Sequence, residues 1–244
     1  MAADGSLDAL LAPLVEAPER SAILLDVDGV LAPIVARPEL SAVPEATKAE
    51  LRRLAGRYLL VAGVSGRAGD DARRLVGVAG IDVVGNHGLE LDPAAPGFRA
   101  RLAAFREAVG LPVEDKTLSL TYHYREAEDE PAARAGLERV AARAEEAGLV
   151  PRWGRKVLEI RPPLDADKGR AVAALLERSQ AKRALYAGDD TTDLDAFAGL
   201  DAAGLEAAVR VAVASSEGPA ELRDAADLVV ESPEAFLTDV LRRL

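Results

Sequence analysis

Two carboxylates at alternate positions, Asp26 and Asp28, follow the apolar run Ile23-Leu24-Leu25 and precede Gly29. Residues two apart on extended backbone point to the same side, so both carboxylates can face one ligand. Like charges that close repel, and one pKa rises unless a cation lies between them. The pair suits a metal-assisted nucleophile beside a general acid/base. The plainer alternative is an Asp-rich turn after a strand. A second acidic group, Asp189, Asp190, Asp193 and Asp195, puts four carboxylates into seven residues. That density is costly without a cation, and oxygen ligands with retained waters suit Mg²⁺. Asp195 and Thr192 also read as a capping pair at a helix start. Ser65-Gly66-Arg67 offers a hydroxyl and a guanidinium at the mouth of a strand, with backbone N–H donors at the next helix start; Ser-Gly is equally a common turn pair. Lys168 follows Asp167, a plausible N-cap. A cation gains nothing from the dipole at that end of a helix, and such an unfavourable local choice points to a functional role.

These residues need elements to position them. Ile23–Leu25, Leu59–Val64, Ile81–Val84, Ala184–Ala187, Val209–Val213 and Leu228–Val230 read as short buried strands. Helical patterns lie between most of them. Residues 1–20 read as a helix with Leu7, Leu10, Leu11, Leu14 and Val15 on one side. Leu31 to Val43 reads as a Pro-punctuated loop. A helix near Pro44 buries Leu51, Leu54 and Tyr58, another begins at Asp167, and a last one opens with Ser232-Pro233. Strand–helix alternation predicts an α/β class fold, an open, doubly wound, Rossmann-like parallel sheet. In such sheets ligands bind outside the carboxyl ends of the strands, and the motifs above all fall there.

Between about Pro96 and Pro163 the pattern changes. Phe98–Val109 and Pro131–Ala147 read as helices, the second stopped by Gly148. Thr117–Tyr124 and Lys156–Arg161 read as half-exposed strands. The expectation is an inserted α+β cap, 98–163, within a core formed by 1–97 and 164–244. Glu114 and Lys116 share a side if the chain is extended there, Glu159 lies in the later strand, and His123 and Arg125 flank Tyr124. Carboxylates and an ammonium can hold sugar hydroxyls; each alone also reads as a solvated charge.

Composition narrows the function classes. The chain has 244 residues, 49% of them hydrophobic but only 4% aromatic, so its core rests on Ala, Leu and Val. A net charge of −11 argues against nucleic acid or an anionic membrane as partner, and any phosphate site must build its own positive charge. With no cysteine, disulfides, thiolate metal sites and a Cys nucleophile are excluded. No run reaches transmembrane length, and the start lacks a signal-peptide pattern. The expectation is a soluble, cytoplasmic monomer acting on a small molecule.

Asp26-Val-Asp-Gly, Ser65-Gly-Arg, Lys168 and Gly188-Asp-Asp-Thr-Thr-Asp-Leu-Asp-Ala-Phe197, in that order, resemble the four motifs of the haloacid dehalogenase superfamily of phosphatases. Gly85-Asn-His-Gly, Val113-Glu-Asp-Lys, His123-Tyr-Arg and Leu158-Glu-Ile-Arg-Pro resemble the trehalose-6-phosphate phosphatase branch, whose cap is of type IIB. One departure is Leu194, where that family usually has Glu. The resemblance implies an aspartyl-phosphate on Asp26, with Asp28 as general acid/base and Ser65 and Lys168 on the phosphoryl oxygens. It implies Mg²⁺ held at Asp26, the Asp28 backbone and Asp189, with Asp190 and Asp193 orienting metal-bound waters or Lys168. Arg67, Asn86, His87, Glu114, Lys116, His123, Arg125 and Glu159 are then the substrate-binding candidates. Trehalose 6-phosphate is the first choice of substrate. Sucrose phosphate or a glycosyl phosphoglycerate is the rival, a phosphomutase a weaker one, and a non-catalytic sugar-phosphate sensor the alternative of another class.

Overall fold

The computed structural model describes residues 4–35, 40–154, 156–214 and 218–244. They form two compact units, one of residues 1–88 and 167–244, the other of Leu89–Ala166. In the larger unit six parallel strands lie in the order β10-β9-β8-β1-β2-β3. They are β1 (Ser21–Leu25), β2 (Leu60–Val64), β3 (Asp82–Val84), β8 (Arg183–Gly188), β9 (Ala207–Val213) and β10 (Leu228–Val230). From β1 the chain builds outward through β2 and β3, and later from β8 in the opposite direction. The order therefore reverses between β1 and β8, which pair in register from Ser21↔Arg183 to Leu25↔Ala187. A crevice at the carboxyl ends of those two strands is where such a sheet binds ligands.

Successive side chains of a strand point to opposite faces, and here they feed two separate cores. Ile23 and Leu25 of β1 join Leu7, Leu11 and Leu14 of α1 (Asp4–Glu16) and Leu51 and Leu54 of α2 (Glu45–Ala55). Ala22 and Leu24 join Val172, Leu175 and Leu176 of α6 (Lys168–Ser179), Phe197 and Leu200 of α7 (Thr192–Ala202) and Leu222 of α8 (Ala220–Ala225). Helices α6 and α7 approach so closely that a Cβ on Gly199 would lie 2.3 Å from the Gly169 carbonyl oxygen. That contact fixes the start of α6, where Lys168 stands. Part of the predicted Pro-punctuated loop, 36–39, and the first three residues of the predicted N-terminal helix lie outside the described residues.

The smaller unit has a four-stranded antiparallel sheet in the order β4-β5-β7-β6: β4 (Glu114–Asp115), β5 (Leu120–His123), β6 (Val150–Gly154) and β7 (Val157–Arg161). Leu120, Tyr122, Leu158 and Ile160 bury one face with Leu102 and Phe105 of α4 (Arg99–Val109) and Leu137 and Val140 of α5 (Glu130–Glu146). The sequence predicts two strands here; the structure has four. Both extra strands are edges, and β6 carries Pro151, a residue confined to edges because it cannot donate to a ladder. The predicted strand beginning at Thr117 is also corrected. Thr117 has φ 70° and sits in the turn that joins β4 to β5, closed by the Lys116 N–H donating to the Ser119 carbonyl.

Candidate active site

Strand β1 ends at Leu25, and the Asp26 N–H still donates to the Ala187 carbonyl of β8. The loop after it is tight: the Leu31 and Ala32 N–H groups both donate to the Val27 carbonyl. Gly29 has φ 82°, and a Cβ there would lie 2.2 Å from the Asp189 carboxylate. Glycine is thus required twice over, by backbone conformation and by the carboxylate that packs against it. Asp26, Asp189 and Asp193 each place a carboxylate oxygen within 4.8 Å of the other two. Between Asp26 and Asp193 stands Lys168, its Nζ 2.8 Å from Asp26 Oδ2 and 2.7 Å from Asp193 Oδ1. All four are buried.

Asp193 is fully committed. Its Oδ1 accepts from Lys168 and from the Tyr186 hydroxyl at 2.7 Å each. Its Oδ2 accepts from the N–H groups of Asp189 and Asp190 at 2.9 Å each. It therefore shapes the loop between β8 and α7 and anchors Lys168. Burial opposes a charge on Lys168, but Asp193 and Asp26 outweigh it and hold its pKa above the ordinary value. Burial pushes the Asp26 carboxyl up to about 7 against the pull of Lys168. Burial, and after it Asp26, pushes Asp189 up to about 9. Three buried carboxylates against one ammonium leave negative charge uncompensated, and an oxygen-ligated dication fits that deficit. With Asp193 taken up by four donors, Asp26 and Asp189 are the pair that would hold it.

The remaining core candidates surround this cluster differently from expectation. Asp28 and Asp190 lie outside the gathered trio. Asp190 is exposed, and its Oδ1 accepts from the Thr191 N–H at 2.6 Å. The Asp28 carboxylate is held by the Arg67 guanidinium, Nε to Oδ2 at 2.6 Å and Nη2 to Oδ1 at 2.7 Å. Arg67, expected on substrate, thus faces the acid/base candidate. Ser65 is buried at the end of β2, its Oγ accepting from the Arg67 N–H. Asn86 is buried as well, and the His87 ring lies against Gly66, 2.6 Å from where a Cβ would sit. Both Asn86 and His87 have positive φ, and the His87 N–H donates to the Ser65 carbonyl. That run ties the ends of β2 and β3 together. The predicted capping pair Thr192–Asp195 is replaced: α7 begins at Thr192, with Thr191 at the N-cap and no side-chain cap bond there.

In the smaller unit, Glu114, Thr121 and Glu159 stand side by side across β4, β5 and β7, with Arg152 of β6 opposite Glu159. His123 Nε2 lies 2.7 Å from Glu114 Oε2, and the Ser119 hydroxyl donates to Glu159 Oε1 at 2.7 Å. The extended-chain argument that paired Lys116 with Glu114 does not apply, since Lys116 begins the turn. Arg125 is exposed in the turn after β5 and lies off the sheet.

Sequence reasoning passed over Tyr186 and Ser119. A Tyr among the apolar residues of β8 was the available signal for the first, since a buried hydroxyl needs a partner. The second immediately precedes β5, four residues before His123 and two before Thr121.

The description "trehalose-phosphatase" belongs to a family model that matches residues 24–98 and 102–232. A trehalose-phosphate phosphatase of Mycobacterium marinum is 32% identical over 228 residues, 84% of this chain and 58% of that protein. One from Mycolicibacterium paratuberculosis is 38% identical over 175 residues, 61% of this chain and 43% of that protein. An uncharacterized glycosyl hydrolase of Mycobacterium tuberculosis is 34% identical over 215 residues, 78% of this chain but 16% of that protein. The chain thus spans less than two thirds of the length of these curated relatives. Among solved structures, the C-terminal domain of Candida albicans trehalose-6-phosphate phosphatase superposes with TM-score 0.72 at 20% identity, covering 97% of this chain and 96% of that one. A haloacid dehalogenase-like hydrolase from Bacteroides thetaiotaomicron gives 0.64 at 14%, covering 91% and 98%. The fold is therefore that of the haloacid dehalogenase-like hydrolases. The matched segments run through the strand ends that carry Asp26, Ser65 and Asp189 and the helix start that carries Lys168, and the chain belongs to the trehalose-phosphatase family.

Proposed function

We propose that this chain is a phosphatase that hydrolyses a sugar phosphate, trehalose 6-phosphate in the first instance, through an aspartyl-phosphate and with Mg²⁺. The observation that carries the reading is Lys168 locked between Asp26 and Asp193, with Asp189 beside them and charge left uncompensated. In the first step an Asp26 oxygen bonds to phosphorus and the ester P–O bond breaks. Asp28 gives a proton to the departing sugar oxygen. In the second step water bonds to phosphorus, the Asp26–phosphorus bond breaks, and Asp28 takes up the water's proton. Lys168 and Ser65 hold phosphoryl oxygens as charge redistributes, and Asp193 keeps Lys168 in place. Asp26 and Asp189, with the Asp28 backbone carbonyl, would hold the Mg²⁺, which supplies charge neutralisation between nucleophile and phosphate. Asp190, at the rim of the cluster, would orient its waters.

Glu114 and Glu159, held by His123 and Ser119, are proposed to recognise sugar hydroxyls, and Lys116 is proposed to do so from the turn between β4 and β5. Asn86, His87 and Arg125 are lesser contacts. The net charge of −11 supports a small-molecule partner rather than nucleic acid or membrane. Among the described residues no helix is long and apolar enough to cross a membrane. A cytoplasmic monomer is the working form.

The test is phosphate release with Mg²⁺ across a panel of sugar phosphates. Preference for trehalose 6-phosphate, abolished by Asp26→Asn, is expected. Release from other sugar phosphates alone would keep the chemistry and discard the substrate. No release from any, with the protein folded, would turn the reading into a sugar-phosphate sensor.

A further inference from the structure

The Arg67–Asp28 pair is the feature that the scheme above does not use. Arg67 approaches in a fork, one nitrogen on each carboxylate oxygen, at 2.6 and 2.7 Å. Such a bidentate pair fixes the carboxylate plane as well as its distance, which a lysine at the same position would not do. The Ser41 hydroxyl adds a longer bond to Asp28 Oδ1 at 3.3 Å. Among the described residues, then, Oδ1 takes two donors and Oδ2 takes one. A carboxylate oxygen accepts at two lone-pair sites, so Oδ2 keeps one open for a proton. Arg67 is itself well placed to serve as a fixed support. It is the third residue after β2, its own N–H donates to Ser65 Oγ, and its carbonyl accepts from the Asn86 N–H.

We infer that Arg67 is the positioning residue for Asp28, directing proton transfer through Oδ2, and that it thereby sets how well a poor leaving group is expelled. This rests on the phosphatase reading above. Its consequence is specific to the leaving group. A sugar alkoxide must be protonated as the ester P–O bond breaks; a p-nitrophenolate leaves as the anion and needs no proton. Loss of Arg67 should therefore penalise the first far more than the second. The ratio belongs to kcat/KM, which reports the chemistry up to transfer of the phosphoryl group to Asp26, whereas hydrolysis of the aspartyl-phosphate is common to both esters.

The experiment compares wild type, Arg67→Met, Arg67→Lys and Asp28→Asn with Mg²⁺, each on p-nitrophenyl phosphate and on the sugar phosphate that the wild type hydrolyses best. Thermal melts check that each variant is folded. For Asp28→Asn the sugar ester should lose ~10²–10⁴-fold, the ordinary worth of general acid–base assistance, and the aryl ester much less. Arg67→Met should show the same pattern at about 10–10²-fold, carried by kcat rather than KM. Arg67→Lys, which keeps the charge and loses the fork, should remain closer to Arg67→Met than to wild type. If Arg67→Met does not fold, Arg67→Lys alone decides by the same ratio. Equal loss on both esters would overturn the inference, since Arg67 would then serve the phosphoryl group or the fold. So would a rise confined to KM for the sugar ester, which would make Arg67 a substrate contact, or a gain in rate, which would make the pair an inhibitory latch. Failure of the phosphatase reading shows elsewhere, in a wild type that releases phosphate from no sugar ester.

Discussion

The two sheets treat their charged residues in opposite ways. At the carboxyl end of the parallel sheet, Asp26, Asp189 and Asp193 are buried together, and a single ammonium, Lys168, pairs with Asp26 and Asp193. On the antiparallel sheet the charged groups are more exposed and meet hydrogen-bond partners within the sheet's own unit: Glu114 meets His123, Glu159 the Ser119 hydroxyl and Asp115 the Arg106 guanidinium. The first arrangement holds free energy that a ligand or cation can release. The second is near balance before anything binds. Charge buried without balance is a mark of chemistry; charge paired at a surface is compatible with recognition and contributes little to stability.

The sharpest way to break this contrast is to remove Lys168. Lys168→Met would leave Asp26 and Asp193 facing each other without the ammonium. Breaking a buried pair by deleting one partner costs about 3–5 kcal/mol, and turnover should fall to background. Denaturant melts and phosphate release check both. A variant as stable as wild type would mean that the buried cluster is not under the tension described. The converse change on the other sheet, Glu114→Gln, should move stability by no more than about 1 kcal/mol.

The next largest effect is pH dependence without a divalent cation. Asp189 is pushed up to about 9 and Asp26 to about 7, burial first among the causes, against about 3.9 in an unfolded chain. Between those limits the folded state binds more protons than the unfolded state, so stability falls as pH rises. In EDTA, melting temperature should drop between pH 6 and pH 9. Mg²⁺ should restore it, with a larger gain at pH 9, where fewer protons must be displaced. A cation-free melting temperature that rises over this interval would show that the cluster is already compensated.

The contrast also explains what was legible in the sequence. The parallel sheet was read well because its strands are apolar runs ending in carboxylates, and both signals are local. Asp26 and Asp189 were singled out that way, and Lys168 as a cation placed against the dipole in the first turn of a helix. The tie of Arg67 to Asp28 was not, since 39 positions separate the partners and a guanidinium beside a phosphate motif reads naturally as a substrate contact. The antiparallel sheet was half read. Its two inner strands alternate, but β4 is two residues long and β6 contains a proline, so neither gives a period. The polar–apolar alternation of β5 continues back to Thr117, so the turn there reads as strand, and with it went the placement of Lys116.

A smaller effect belongs to the antiparallel sheet. If Glu159 accepts a sugar hydroxyl, a hydrogen bond to a charged acceptor worth about 1.5–3 kcal/mol is at stake. Glu159→Gln should then lower kcat/KM about 10–100-fold on the sugar phosphate and much less on p-nitrophenyl phosphate. An equal loss on both esters would remove the sheet from recognition.

The smallest effect concerns Leu194, the position at which the family usually carries Glu. With Thr191 at the N-cap of α7, position 194 is the third residue of the helix. Glu at that place beside an N-cap threonine makes a capping box, each side chain serving the other residue's backbone N–H. The structure has no side-chain cap bond at Thr191, and Leu194 is instead half-buried against the core shared by α6 and α7. The chain has exchanged a polar cap for packing, and the family carboxylate reads as a helix-starting device rather than part of the chemistry. Leu194→Glu should gain a cap worth about 0.5–2 kcal/mol and lose a comparable amount of apolar burial, about 1 kcal/mol for half of a leucine. It also adds a like charge beside Asp190, Asp193 and Asp195. Stability should therefore stay within about 1 kcal/mol of wild type, and kcat/KM within a few-fold on either ester. A change of ten-fold or more in kcat would place that carboxylate in the reaction and extend the buried charge cluster one residue further into α7.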